Sequence, residues 1–194
     1  MKKKLLLVCM MCALVLSANA QRFGIQVGMN LANVNSDGEL NDDLLAYQVG
    51  PVADFDITNS FAFNTGVLFS AKGCKSSNDL FDTKIGISYV EIPLNLAYKL
   101  DLGGMKLYAQ AGPYIGYAVA NKLTVEAGNN KTVTKNDWEG FKRLDFGVGF
   151  GAGAELEHLK IGMAYGLGLA NMNDNSDDYK SKNRNFMITA AWLF

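Results

Sequence analysis

LDFGVGFGAGAEL, residues 144–156, decides the architecture. Leu144, Phe146, Val148, Phe150, Ala152, Ala154 and Leu156 share one parity; Asp145, Gly147, Gly149, Gly151, Gly153 and Glu155 share the other. A period of two belongs to a strand, whose side chains leave alternately from its two faces. Glycine at this density would penalise a helix by roughly 1 kcal/mol per residue. GFGAGAE within the stretch is no phosphate cradle, because no helix follows it.

The pattern repeats in both directions. In KIGMAYGLGLA (160–170), Ile161, Met163, Tyr165, Leu167 and Leu169 alternate with Lys160, Gly162, Ala164, Gly166 and Gly168. In RFGIQVGMNL (22–31), Phe23, Ile25, Val27, Met29 and Leu31 alternate with Arg22, Gly24, Gln26, Gly28 and Asn30. Eight strands are predicted, over 22–31, 45–56, 60–70, 85–99, 104–119, 142–156, 159–169 and 185–194. Long polar stretches follow the first, third, fifth and seventh (32–44, 71–84, 120–141, 170–184). Short links follow the second, fourth and sixth (Ile57-Thr58-Asn59, Leu100 to Gly103, Glu157-His158). Strict alternation of long and short links predicts an all-β fold, an eight-stranded antiparallel up-and-down transmembrane β-barrel with loops at one end and turns at the other.

That reading gives Glu91 a place. Val90, Ile92, Leu94 and Leu96 share the apolar parity of their strand, and Glu91, Asn95 and Lys99 the opposite one. If the apolar parity meets lipid, the polar parity lines the barrel interior. The lipid-facing set is then Val90, Ile92, Leu94, Leu96, Phe146, Val148, Phe150 and the terminal Phe194. The interior network is Arg22, Gln26, Asp54, Glu91, Asn95, Lys99, Lys106, Gln110, Asp145, Glu155 and Lys160, joined by Arg143. Glu91 is expected to pair with Lys106, Arg22 or Lys99. An eight-stranded cylinder is just wide enough for side chains to fill it, so a plugged interior is expected.

Composition sets the bounds. Lys2, Lys3 and Lys4, the apolar run Leu5 to Leu16 and Ala18-Asn19-Ala20 read as a signal peptide over 1–20, cleaved before Gln21. Its apolar run falls short of the roughly 20 residues that span a bilayer. Residues 21–194 form one barrel domain. Without the three leader lysines, 15 of the 18 basic residues remain against 19 acidic ones, a formal charge of −4. That leaves no nucleic-acid footprint. Cys74 is the one cysteine beyond the leader, so no intrachain disulfide forms there. It is expected free in the second outer loop.

Catalytic chemistry finds no support. His158 is the one histidine and reads as an exposed turn residue; with Cys74 expected at the opposite end, no zinc set assembles. No nucleophile motif accompanies the histidine. Asp174, Ser176 and Asp178 lack the glycine and closing glutamate of a calcium loop. Asp37, Glu39, Asp42 and Asp43 read as a solvated acidic patch. No enzyme, cofactor or metal is expected.

Several segments resemble the outer membrane β-barrel proteins of Bacteroidetes, the PorT-like or "porin family" group. They are FGIQVGMNLANV (23–34), LFSAKG (68–73), YVEIPLNLAYKL (89–100), YAQAGPYIGYAV (108–119), DFGVGFGAGAEL (145–156), YGLGLANM (165–172) and NRNFMITAAWLF (183–194). The resemblance covers most of the chain beyond the leader and implies an outer-membrane barrel without a catalytic motif. The expected role is structural or surface-interacting; the alternatives are a passive small-solute channel or an accessory component of a secretion or gliding apparatus. Expected partners are outer-membrane lipid, lipopolysaccharide and the barrel-assembly machinery, with the surface ligand left open and the protein a monomer. Localisation in the cell outer membrane with both mature termini periplasmic follows from the strictly alternating link lengths and the two-residue period.

Overall fold

The computed structural model describes residues 21–36, 42–77, 82–127, 130–135, 138, 142–171 and 181–194. The strands are β1 (Gln21–Ser36), β2 (Asp42–Asp56), β3 (Phe61–Gly66), β4 (Leu68–Ser77), β5 (Asp82–Asp101), β6 (Lys106–Ala127), β7 (Asn130–Lys135), β8 (Leu144–Leu156), β9 (Leu159–Gly168) and β10 (Ser181–Leu193). They form one ten-stranded antiparallel sheet, ordered β3-β5-β4-β2-β1-β10-β9-β8-β6-β7, with further pairings β3–β2 and β5–β6. The expected count of eight strands is therefore corrected to ten.

Two local features account for the difference. The predicted strand over 60–70 is divided at Val67, whose N–H donates to Pro51 O at 3.0 Å. Pro51 has no N–H to return, so the ladder loses a donor there. A Cβ on neighbouring Gly50 would stand 2.1 Å from Val67 O, a close approach that only glycine permits. The register along β2 nevertheless continues across the break, Val52 facing Gly66 and Gln48 facing Ser70, and shifts only further on, between Gln48 and Asp43. The second feature is β7, which pairs with β6 from Lys122↔Lys135 to Ala127↔Asn130. The pairings run from β6 through β8, β9, β10, β1, β2, β3 with β4, and β5, which pairs again with β6.

The long polar links are also corrected. Much of 71–84 and 120–141 is strand, because β4, β5, β6 and β7 carry the ladder past the apolar residues. Alternation needs one apolar and one polar surroundings. Where both faces are polar it fades, while the backbone hydrogen bonds continue. One extra residue, Val119, enters β6 between the pairs Tyr89↔Ala118 and Ser88↔Ala120.

The sheet's two faces differ sharply. Phe23, Ile25, Val27, Met29 and Leu31 of β1, Leu45 and Tyr47 of β2, and Ile188, Trp192 and Phe194 at the chain end are all exposed. The buried face instead holds Asp54, Lys72, Glu91, Lys99, Asp145, Glu155 and Lys160. Apolar outside and charged inside inverts the order of a water-soluble domain. Phe194 N–H donates to Phe23 O at 2.7 Å, so the last residue and the start of β1 lie at the end that carries the short turns.

Candidate functional site

The buried face gathers its charges into two clusters. One lies at the short-turn end, where the outer residues of β1, β2, β5, β8 and β9 meet. Arg22 Nη1 pairs with Glu155 Oε1 at 2.6 Å, Lys99 Nζ with Asp56 Oδ1 at 2.7 Å, and Lys160 Nζ with Asp54 Oδ2 at 2.9 Å. Lys99 also reaches Glu155 at 3.5 Å and Asp54 at 3.8 Å, which joins the pairs into one network. Three cations meet three carboxylates. With its amide turned to suit its neighbours, Asn64 donates to Asp54 Oδ1 at 3.1 Å and accepts from Lys160 Nζ at 2.9 Å.

The second cluster centres on Lys72. Its ammonium hydrogen-bonds Glu91 Oε2 and lies 3.4 Å from Asp145 Oδ2. Asn183 Nδ2 donates to the same Asp145 oxygen at 2.8 Å. The Lys72 ammonium stands 4.4 Å from the Tyr114 ring centroid and 5.4 Å from that of Tyr89. Lys72 is 1 % exposed and Asp145 0 %. Here one cation serves two carboxylates.

Between the clusters lies a cavity of about 90 Å³, bounded by Asp54 and Lys160 at one side and Glu91 and Tyr114 at the other. Gln48 Oε1, both amide atoms of Asn185 and the Tyr114 hydroxyl have no protein partner. Those residues line the cavity. Polar walls and this volume suit several waters.

Glycines shape the space around the clusters. The Tyr108 hydroxyl lies over the Gly153–Gly162 pair, where added Cβ atoms would meet it at 2.7 and 2.2 Å. The glycine parity of β8 and β9 thus makes room for tyrosines projecting from β6.

Of the residues singled out in sequence, Arg22, Asp54, Lys99, Glu155 and Lys160 come together in the first cluster, and Glu91 and Asp145 in the second. Gln26, Asn95 and Gln110 line the cavity. Lys106 is half-buried at the turn end, opposite Glu155. Val90, Ile92, Leu94, Leu96, Phe146, Val148, Phe150 and Phe194 are all exposed. Three expectations are corrected. Glu91 pairs with Lys72, not with Lys106, Arg22 or Lys99. Arg143 leaves the buried network: its Nε donates to Ala118 O at 3.1 Å and its guanidinium stacks on Tyr117 and Trp138. Cys74 belongs to β4 and is buried against Ile85.

Sequence reasoning missed Lys72, Asp56, Asn64 and Asn183. Lys72 had a usable signal, since Leu68, Ser70 and Lys72 continue one parity against Phe69 and Ala71. His158 is exposed in the turn before β9, its Nδ1 3.0 Å from Leu193 O. Residues 1–20, Asp37, Glu39, Asp174, Ser176 and Asp178, and the side chains of Asp42 and Asp43, lie outside the described residues. Among the described residues, no group of three or more His, Cys, Asp or Glu is placed to hold a metal.

Comparison with known proteins now fits this geometry. The family described as an outer membrane protein beta-barrel domain matches residues 17–174. The chain belongs to this family. Among solved structures, the chain is similar to Neisserial surface protein A, at 16% identity over 91% of this chain and 100% of that one, with a TM-score of 0.50. It is also similar to Ail, the attachment invasion locus protein of Yersinia pestis (16% identity, 89% and 98% covered, TM-score 0.46). A third likeness is a major outer membrane protein from Thermus thermophilus (13% identity, 91% and 100% covered, TM-score 0.49). No curated protein matches. Family membership establishes an outer-membrane β-barrel with a non-catalytic surface or structural role.

Proposed function

We propose that this protein is a plugged outer-membrane scaffold that acts through the end opposite its short turns, and that it conducts no solute. The observation that carries this reading is the pair of ion clusters on the buried face, one built on Lys99 and one on Lys72. Together they block the buried face on both sides of the cavity. A conducting path would have to separate pairs at 2.6–2.9 Å, which for a buried pair leaves charges uncompensated at a cost of about 3–5 kcal/mol.

In this reading the apolar exposed face, from Phe23 to Phe194, meets lipid. Both mature termini are periplasmic, and residues 1–20 are a signal peptide that directs export. The barrel-assembly machinery inserts the chain, which works as a monomer among outer-membrane lipid and lipopolysaccharide. The Bacteroidetes PorT-like subgroup rests on the sequence segments quoted above.

Planar bilayers test the scaffold against the channel. Purified, heat-modifiable protein is expected to give no steady conductance. Reproducible single-channel steps from the unmodified chain would overturn the plugged reading in favour of a passive channel through the cavity.

A further inference from the structure

The strands that project beyond the apolar band order their charges in a way that sequence spacing conceals. Along β5, Lys84, Gly86, Ser88, Val90, Ile92 and Leu94 share one parity, and the β4–β5 register is unbroken from Leu68↔Glu91 to Ser77↔Asp82. Lys84 therefore stands on the same face as the exposed Val90, Ile92 and Leu94. Gly86 is directly opposite Lys122, and Lys122 directly opposite Lys135. Directly opposed residues share a face, and Lys84 is a diagonal neighbour of Lys122. Lys122 and Lys135 share one row, and Lys84 stands in the next row outward, directly opposite Lys75. Lys84, Lys122 and Lys135 are all exposed.

A fourth cation stands nearer the band. Tyr117 is directly opposite both Val90 and Leu144, at the upper limit of the apolar face. Arg143 precedes Leu144, with its guanidinium 4.9 Å from the Tyr117 ring centroid and 4.3 Å from that of Trp138. Its Nε is bound to Ala118 O. Trp138 packs against the buried Ile87, Tyr89 and Ala118 while Tyr117 is exposed, so the stack holds Arg143 at the rim between the two faces and leaves its terminal nitrogens to another acceptor.

Like charges directly opposite destabilise an antiparallel pair, and Lys122 faces Lys135 in that way. Asp82 and Glu126 oppose each other one row beyond Lys84, and Lys131 takes the register position opposite Glu126. Along β5 (Val90, Lys84, Asp82) and along β6 (Val119, Lys122, Glu126) the order outward is apolar, basic, acidic. Lys122 and Lys135 are level with Gly86, four residues from Val90, about 13 Å along the strand and about 10 Å along the normal of a membrane crossed at a tilt near 40°. Lys84, six residues from Val90, is about 15 Å along that normal. A lysine at that level can bend its ammonium back toward the band.

We propose that Lys84, Lys122, Lys135 and Arg143 form a binding site for the phosphorylated headgroup of a membrane lipid, seated on the outer wall of β5, β6 and β7 with Arg143 at the rim just before β8. The site rests on the outer-membrane reading above, which puts this end of the barrel in the leaflet away from the periplasm. Charge complementarity selects a phosphate, and continuity with the apolar wall selects a lipid as its carrier. Arg143 offers planar paired donors suited to phosphate oxygens, while the lysines act as point charges.

The test uses the chain from Gln21 onward, reconstituted in phosphatidylcholine bilayers doped with bisphosphorylated lipid A or with its dephosphorylated form. Retention of lipid by the extracted protein is read by native mass spectrometry, and shielding of the lysines by amine acetylation. Bisphosphorylated lipid should be retained and should shield Lys84, Lys122 and Lys135. Lys84→Gln, Lys122→Gln or Lys135→Gln should each weaken retention about fivefold, and all three with Arg143→Gln by more than about a hundredfold. Every variant is first checked for the heat-modifiable folded band, and single variants carry the test if the combined one does not fold. Equal retention of both lipids, or equal retention by wild type and variants, overturns the site. So does equally tight binding of inositol hexakisphosphate in zwitterionic micelles, which would make the face a soluble-polyanion site. Failure of the wild-type chain to insert in either bilayer refutes the outer-membrane reading itself; insertion without lipid preference refutes only this inference.

Discussion

Replacing Lys72 with methionine should be among the most damaging single changes on the buried face. Lys72 is the cation that Glu91 and Asp145 share; Asp145 is fully buried, and Glu91, 5 % exposed, borders only the cavity. Methionine preserves the stem and its packing against Tyr114 and Tyr89 but deletes the charge. Removing one partner of a buried ion pair costs about 3–5 kcal/mol, because the surviving charge keeps its desolvation penalty. Here two carboxylates survive and also repel each other, so the upper half of that range is expected. Glu91→Gln acts differently. It leaves Lys72 with Asp145 in a one-to-one pair, and the new amide oxygen still accepts from the ammonium. Loss of charge assistance from one bond should cost about 1 kcal/mol. The triple variant Lys72→Met, Glu91→Gln, Asp145→Asn removes every charge and should recover most of the loss. Urea unfolding of micelle-embedded protein, followed by the heat-modifiable band on gels, reads all three. If Lys72→Met unfolds at the wild-type urea midpoint, or the triple variant is no more stable than the single, the cluster does not hold the barrel as argued.

Three further changes probe other parts of the molecule. Leu94→Arg or Val148→Arg puts a charge on the exposed apolar face and should impede folding into lipid vesicles, at about 2–4 kcal/mol near midplane; a cost no greater than that of Glu91→Gln would reverse the facing assignment. Gly147→Ala forces a Cβ to within 2.1 Å of Leu167 O and 2.7 Å of Tyr114, so it should cost about 1–3 kcal/mol, whereas Gly149→Ala, whose nearest neighbour is Tyr165 O at 3.8 Å, should be near neutral in the same urea assay. Cys74 is buried against Ile85, so maleimide should label it slowly in the folded protein and quickly after boiling in detergent. Equal labelling before and after boiling would return Cys74 to an exposed loop.

The side each residue takes was legible wherever an apolar parity faced a polar one. β8 and β9 are the clearest cases, and their glycines proved to be the floor beneath Tyr108 and Tyr114. The ladder's outer reach was not legible. Beyond Val119, residues such as Asn121, Lys122, Thr124 and Glu126 stand in strand with polar groups on both faces, and nothing in their order marks the hydrogen bonds to β7. The break at Val67 was equally hidden, since it arises from the missing N–H of Pro51 on another strand. Arg143 shows a third limit. Parity alone sends it inward, but it precedes the first residue of β8, and two aromatic rings hold it instead.

The partner of Glu91 shows what parity lacks and register supplies. All three cations expected for it lie at the short-turn end. Lys99 is eight residues further along the same strand, roughly 27 Å away at strand rise, beyond the reach of any side chain. Lys106 is ten residues from Gly116, which sits directly opposite Glu91, and Arg22 is opposite Asp54. Once Leu68 is known to face Glu91, the inward residues of β4 within reach are Ser70 and Lys72, and Lys72 alone carries a charge. Parity decides which wall a side chain joins. Register decides whom it meets there, and a pairing partner can be chosen from sequence only after strand ends are fixed. The miss was therefore one of boundary: ending the third strand at residue 70 left Lys72 in a loop, two residues short of the cluster it completes.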